Sequence, residues 1–256
     1  MFLSGYRHFL ATAASLQWNE AAMDLRRDAT ELPELSSECR ATVRRLVAGF
    51  CVGEDCVAAE LEPFARAVAD QSVAACFRAQ AVDEARHARF FDRVAAEVLR
   101  VPGNDATQRR HRLRDELEPA FLDLFEERLP QAAATLARGG ETLPGAVALY
   151  HLVLEGIVFT AGQRTLFELL DDLHALPGLR RGVELVLRDE RWHIGFGASL
   201  LNRIAAAEDI GAVLAEADTA LAAWGDVVPP EVRDTVLKLH RRRLTAARLR
   251  PAGVAG

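Results

Sequence analysis

Phe77-Arg-Ala-Gln80-Ala-Val-Asp83-Glu84-Ala-Arg-His87-Ala-Arg-Phe-Phe91 and Val183-Glu-Leu-Val186-Leu-Arg-Asp189-Glu190-Arg-Trp-His193-Ile-Gly-Phe-Gly197-Ala-Ser-Leu200 decide how this chain folds. Both carry apolar residues at alternating spacings of three and four, the period that lays one stripe along a helix. Both stripes are interrupted at their centre by Glu-x-x-His. Two further segments repeat the pattern with a lone Glu. One runs Val47, Phe50, Glu54, Val57, Leu61, Phe64, Val68, and the other Ala148, Leu152, Glu155, Phe159, Gly162, Leu166.

Around these stripes the chain has long Ala, Leu, Arg and Glu stretches separated by short Pro/Gly breaks, with no alternating β-branched runs. An all-α protein follows. The breaks leave helices of about 36–69, 71–99, 107–138, 144–173 and 177–206, then shorter ones near 208–224 and 229–248, and short loops between long helices favour an antiparallel bundle. The expectation is one domain over 1–256: a four-helix bundle core within about 36–206, with additional C-terminal helices. Pro63 and Pro130 fall inside predicted helices, where the missing N–H and the ring kink or break them.

Charge and composition remove several classes of function. With 31 basic and 37 acidic residues the net charge is −6, so there is no basic excess to neutralise a phosphate backbone, and nucleic acid is not an expected partner. Cys39, Cys51, Cys56 and Cys76 have neither zinc nor redox spacing and suit a reducing compartment. The N-terminus does not have the layout of a secretory signal, and no run of about 18 apolar residues is expected to span a membrane. A cytoplasmic location is expected.

Four Glu on four core-facing stripes pose an electrostatic problem, since each buried carboxylate costs several kcal/mol and like charges repel. Two divalent cations balance four carboxylates, and two neutral imidazoles complete an N/O donor set suited to iron or manganese. Residues three apart sit on adjacent turns of one face and can reach a common ion. Glu54, Glu84, His87, Glu155, Glu190 and His193 are therefore the expected metal ligands. Asp55 and Glu60 compete with Glu54, but Asp55 points about 100° off the seam and Glu60 lies more than a turn further on. Asp83 and Asp189 are candidates to hydrogen-bond the histidines, with a surface role equally open.

This constellation is that of ferritin-like dimetal carboxylate proteins. More narrowly, Gly53-Glu-Asp-Cys-Val57, Asp83-Glu-Ala-Arg-His87, Tyr150-His-Leu-Val-Leu-Glu155-Gly and Asp189-Glu-Arg-Trp-His193-Ile-Gly-Phe-Gly resemble the ligand-binding oxidases related to the ribonucleotide reductase small subunit, with a weaker echo in Leu16-Gln-Trp-Asn. The resemblance implies a heterodinuclear Mn/Fe centre, or two Fe, that activates O2 beneath a long-chain fatty acid or similar apolar ligand. It also implies two-electron oxidation of a C–H bond, a homodimer, and an ether cross-link between Val57 and Tyr150. On an ideal helix Tyr150 lies about 140° around from Glu155, so helix geometry alone does not bring it to the site. Two features depart from the family pattern: Gln163 stands where a second family Tyr is found, and the segment ahead of the first core helix is shorter.

Two alternatives remain. A reductase small subunit would generate a radical, but Phe91 occupies the usual tyrosine position and the chain has only Tyr6 and Tyr150, none in its C-terminal tail. A non-catalytic ferritin-like iron- or lipid-binding protein would need the six ligands but not Val57 and Tyr150. Val186 replaces the extra His of arylamine oxygenases. His151, Trp192 and Phe196 read as packed side chains or as lining for a ligand tunnel. Arg109-Arg-His-Arg and Arg241-Arg-Arg read as solvated faces, one of which could meet a ligand carboxylate.

Overall fold

The structure, a computed structural model, describes residues 4–139, 143–205, 211 and 215–246. Among them there is no strand. Two helices precede the core, α1 (Ser4–Ser15) and α2 (Arg26–Glu31). The first core helix, α3 (Ser37–Ala67), is started by the Ser36 hydroxyl accepting from Cys39 N–H, and it runs through Pro63 without ending. Asp70 caps α4 (Gln71–Arg93) in the same way, and a π turn at Val94–Val98 closes that helix. After α10 (Pro177–Ile204), α11 (Ala217–Ala220) runs into a 3₁₀ turn at Leu221–Trp224, and α12 (Pro230–Ala246) ends the described chain.

The single helix expected over 107–138 is instead three elements: α5 (Ala106–Arg114), α6 (Pro119–Leu122) and α7 (Leu129–Ala137), the last two joined by a π segment at Asp123–Arg128. Pro119 causes the break. It has no N–H to donate and forces Glu118 before it into an extended conformation, ψ 143°. Pro130 follows directly on the π segment, inside a helix that runs unbroken over 119–137, and does not end it. Neither α1 nor α2 is among the helices expected from the sequence breaks. The helix expected near 208–224 lies partly outside the described residues, as does the end of the one near 229–248.

The fourth core helix is continuous over Leu143–Leu173 but changes register. It comprises α8 (Leu143–Val147), a π segment Ala148–Phe159, and α9 (Thr160–Leu173). By length and composition this helix is apolar enough to cross a membrane, which corrects the expectation that no such run exists. Its apolarity is spent inside the protein: 83% of its most apolar window is buried, including all twelve residues of the π segment.

α3 packs along α4, and α10 along the π segment and α9, while α3 against α8 and α9 and α4 against α10 close the bundle. Outside it, α1 lies on α4 and α10, α7 on α3, and α12 on α9 and the π segment. Small residues set the closest approaches. A Cβ on Gly49 or Gly162 would lie 2.4 Å from the Trp224 indole, and one on Gly182 would enter the Phe90 ring. α10 is capped from outside by α2: the buried Asp28 carboxylate accepts from the N–H groups of Gly178 and Leu179 at 3.0 and 2.5 Å.

Candidate metal centre

At the middle of the bundle the four interrupted stripes face one another. α3 brings Glu54, α4 Glu84 and His87, the π segment Glu155, and α10 Glu190 and His193, all at most 2% exposed. Their donor atoms fall into two groups, Glu54–Glu84–His87–Glu190 and Glu84–Glu155–His193, with the atoms of each group within 4.8 Å of one another. Glu84 belongs to both. Asp55 turns away to pair with Arg110, and Glu60 is in neither group.

Each imidazole presents Nδ1 to the carboxylates. His87 Nδ1 is 3.2 Å from Glu84 and 3.6 Å from Glu54, and His193 Nδ1 is 3.1 Å from Glu84 and 3.5 Å from Glu155. The Nε2 atoms point outward and crosswise, His87 to Asp189 at 3.2 Å and His193 to Asp83 at 3.4 Å. Each aspartate therefore serves the histidine of the opposite helix. An N–H donated from Nε2 leaves the Nδ1 lone pair aimed inward, the tautomer a metal needs. Buried Arg86 lies between the two aspartates, donating to Asp83 at 2.6 Å and Asp189 at 2.9 Å. Trp18 and Trp192 each donate an indole N–H, to Asp189 and Asp83 respectively. The Leu16-Gln-Trp-Asn segment thus reaches the site through Trp18.

Burial pushes Glu54 and Glu155 well above the ordinary carboxylate range, and raises Glu190. Burial opposes ionisation of Glu84 too, yet the flanking His193 and His87 hold it well below that range. Desolvation disfavours charge on His87 and His193, but the carboxylates around them raise both. Neither oxygen of Glu54 has a hydrogen-bond partner, nor do Glu155 Oε2, Glu190 Oε2 and His193 Nδ1. Orphaned acceptors at this depth are costly, and cations would satisfy them all. The residues fit two divalent ions.

Tyr150 reaches the centre because of the π segment. Its i→i+5 hydrogen bonding puts residues five apart on one face, so Tyr150 and Glu155 share a side that an α-helix would deny them. The phenol donates to Glu84 Oε1 at 2.7 Å. Three side chains serve carbonyls in the widened segment: Thr160 hydroxyl to Glu155 O, Arg243 to Gly156 O and Trp224 indole to Val158 O, at 2.7, 2.9 and 2.7 Å. Arg243 is thus not on a solvated face as expected. Val57 is fully buried on α3, one turn after Glu54, and the Gln163 amide donates to Glu190 at 3.1 Å. Phe91 stacks on Phe50, and Val186 packs in the core. A cavity of about 460 Å³ beside Glu190 is lined by Arg164, Phe167, Leu187, Ile194, Leu239 and Arg243 among others.

Residues 5–217 match the family model described as ribonucleotide reductase, small chain. The chain belongs to that family. Among solved structures, a point mutant of R2-like ligand-binding oxidase with an anaerobically reconstituted Mn/Fe cofactor is 23% identical, with a TM-score of 0.81 over 94% of this chain and 92% of that one. The same oxidase with an aerobically reconstituted Mn/Fe cofactor is 22% identical, with a TM-score of 0.78 over 95% and 93%. These likenesses show that the small-chain family's all-α, ferritin-like fold is this chain's fold. Gln80 and Arg86, both at the centre, were missed as site residues. Gln80 was visible as a polar break in the α4 stripe, but Arg86 carried no signal beyond its place between Glu84 and His87.

Proposed function

We propose that the chain is an O2-dependent dimetal oxidase whose metals are held by Glu54, Glu84, His87, Glu155, Glu190 and His193. The observation that carries this reading is the pair of buried donor groups sharing Glu84, with carboxylate oxygens that nothing in the protein satisfies. A bound Mn/Fe or di-iron pair would supply the redox capacity to reduce O2 at the expense of a C–H bond. The protein's part is to hold and shield. Asp83 and Asp189 keep both imidazoles in one tautomer, Arg86 bridges the two aspartates, and the apolar walls exclude water from the oxidation. The cavity beside Glu190 sets Phe167, Leu187, Ile194 and Leu239 beside Arg191 and Arg243, with Glu168 and Glu184 also in its lining, a mixture that suits an amphipathic ligand such as a fatty acid. A homodimer completes the reading.

The test is to load the purified protein anaerobically with Mn(II) and Fe(II) and measure ions per chain, then add O2 and weigh the Tyr150 peptide. About two ions per chain are expected. After O2, loss of two hydrogens, one from Val57 and one from the Tyr150 hydroxyl, would accompany the new C–O bond, with O2 as acceptor. No bound metal overturns the reading.

A further inference from the structure

We propose that Gln80 is a positioning residue that fixes where the Tyr150 phenol directs its proton, with His151 holding Gln80 in place. Gln80 lies on α4 one turn before Glu84 and is fully buried. Its Nε2 is 2.6 Å from Glu155 Oε1 and 3.0 Å from the Tyr150 oxygen, so its two hydrogens serve those two acceptors. With its oxygen already accepting, the phenol has one hydrogen left to place, and the Glu84 oxygen at 2.7 Å receives it.

With Glu155 ionised, the form a metal ligand takes, the amide has one orientation. Exchanging its nitrogen and oxygen would set an acceptor against the Glu155 carboxylate and withdraw the donor from the phenol. In the orientation that remains, Gln80 Oε1 faces His151 Nε2 at 3.1 Å and needs a donor there, so the ring's single proton goes to Nε2 rather than to Nδ1, which faces the Val147 carbonyl at 3.2 Å. Burial pushes the His151 pKa down to about 3, so the ring is a neutral single donor. The ring has no freedom to leave, since it sits against Gly197, where a Cβ would lie 2.2 Å from it. A leucine or methionine at position 80 would continue the α4 stripe equally well. The polar choice is explained by the phenol and Glu155 together.

The inference rests on the oxidase reading only for why the phenol matters, and its measurement is made on the phenol itself. Because the chain has only two tyrosines, Tyr6 and Tyr150, subtracting the Y150F spectrum isolates the Tyr150 doublet in ultraviolet resonance Raman. That doublet reports whether a phenol donates, accepts or does both. The full-length protein is measured after anaerobic Mn(II)/Fe(II) loading and again without metal, with ions per chain counted in parallel. Q80M is expected to keep the wild-type metal count at saturating metal while its doublet moves to the donor-only ratio. Q80L is expected to give the same donor-only ratio, because it too takes the amide hydrogen away from the phenol oxygen. A Q80M doublet superimposable on wild type in folded protein overturns the proposal. So does a Q80L doublet superimposable on wild type, which decides the matter if Q80M does not fold. Absence of bound metal with the doublet shifts intact would sink the oxidase reading and leave the role of Gln80 standing.

Discussion

Glu84 is the most connected residue of the centre: it belongs to both donor groups, lies within 3.2 Å of both imidazoles and accepts the Tyr150 proton. Replacing Glu84 by Ala is therefore expected to disturb both metal positions, taking the metal count from about two per chain to below one and lowering Tm with it, read by elemental analysis and calorimetry on the same sample. A variant that kept full metal content would contradict the assignment. Asp189 acts through His87 and Arg86, so Asp189→Asn should leave the fold intact but weaken metal affinity by about 10–100-fold, measured by competition with a chelator of known affinity. The six Glu and His were legible because a charge on a core stripe has no apolar explanation. Gln80 stands in the same stripe, but a single neutral amide signals nothing until its partners are known.

At the scale of elements, the decisive feature is the π segment in the fourth core helix. Sequence periodicity describes Leu143–Leu173 as a uniform helix, and on that basis Tyr150 points away from Glu155. The wider turns become tolerable because Trp224 and Arg243, 66 and 87 residues further along the chain than the carbonyls they serve, bring donors to them. No local pattern contains that information. The start of α10 likewise depends on a distant group, the Asp28 carboxylate from α2, which accepts from two of its first N–H groups. Asp28→Ala removes both bonds at a buried position and should cost about 1–2 kcal/mol, seen as a lower urea midpoint at unchanged slope. A midpoint equal to wild type would show that α10 needs no cap from α2. The break at Pro119, by contrast, was readable in principle, since the ring acts on its immediate neighbour, Glu118.

For the whole molecule, the centre is a store of unfavourable electrostatics that metal ions relieve. Four buried carboxylates and two imidazoles crowd together, and the orphaned oxygens of Glu54, Glu155 and Glu190 gain partners only when cations arrive. Because the six groups are assembled only in the folded chain, binding should stabilise it by linkage, about 2.7 kcal/mol at a hundredfold excess over Kd. Chelation should lower Tm in a concentration-dependent way that readded metal reverses, and a Tm indifferent to metal would contradict the site. By itself the sequence determined the all-α class, the four core stripes and the six residues at their centre, because helical period and the cost of burying charge are local and additive properties of a chain. Only the tertiary structure decided that Asp83 and Asp189 serve the opposite helices' histidines, that Arg86 joins them, that Arg243 turns inward, and that Tyr150 reaches Glu84. Each of these depends on groups supplied by other helices, and a residue's own neighbours in sequence carry no record of which distant donor will satisfy it.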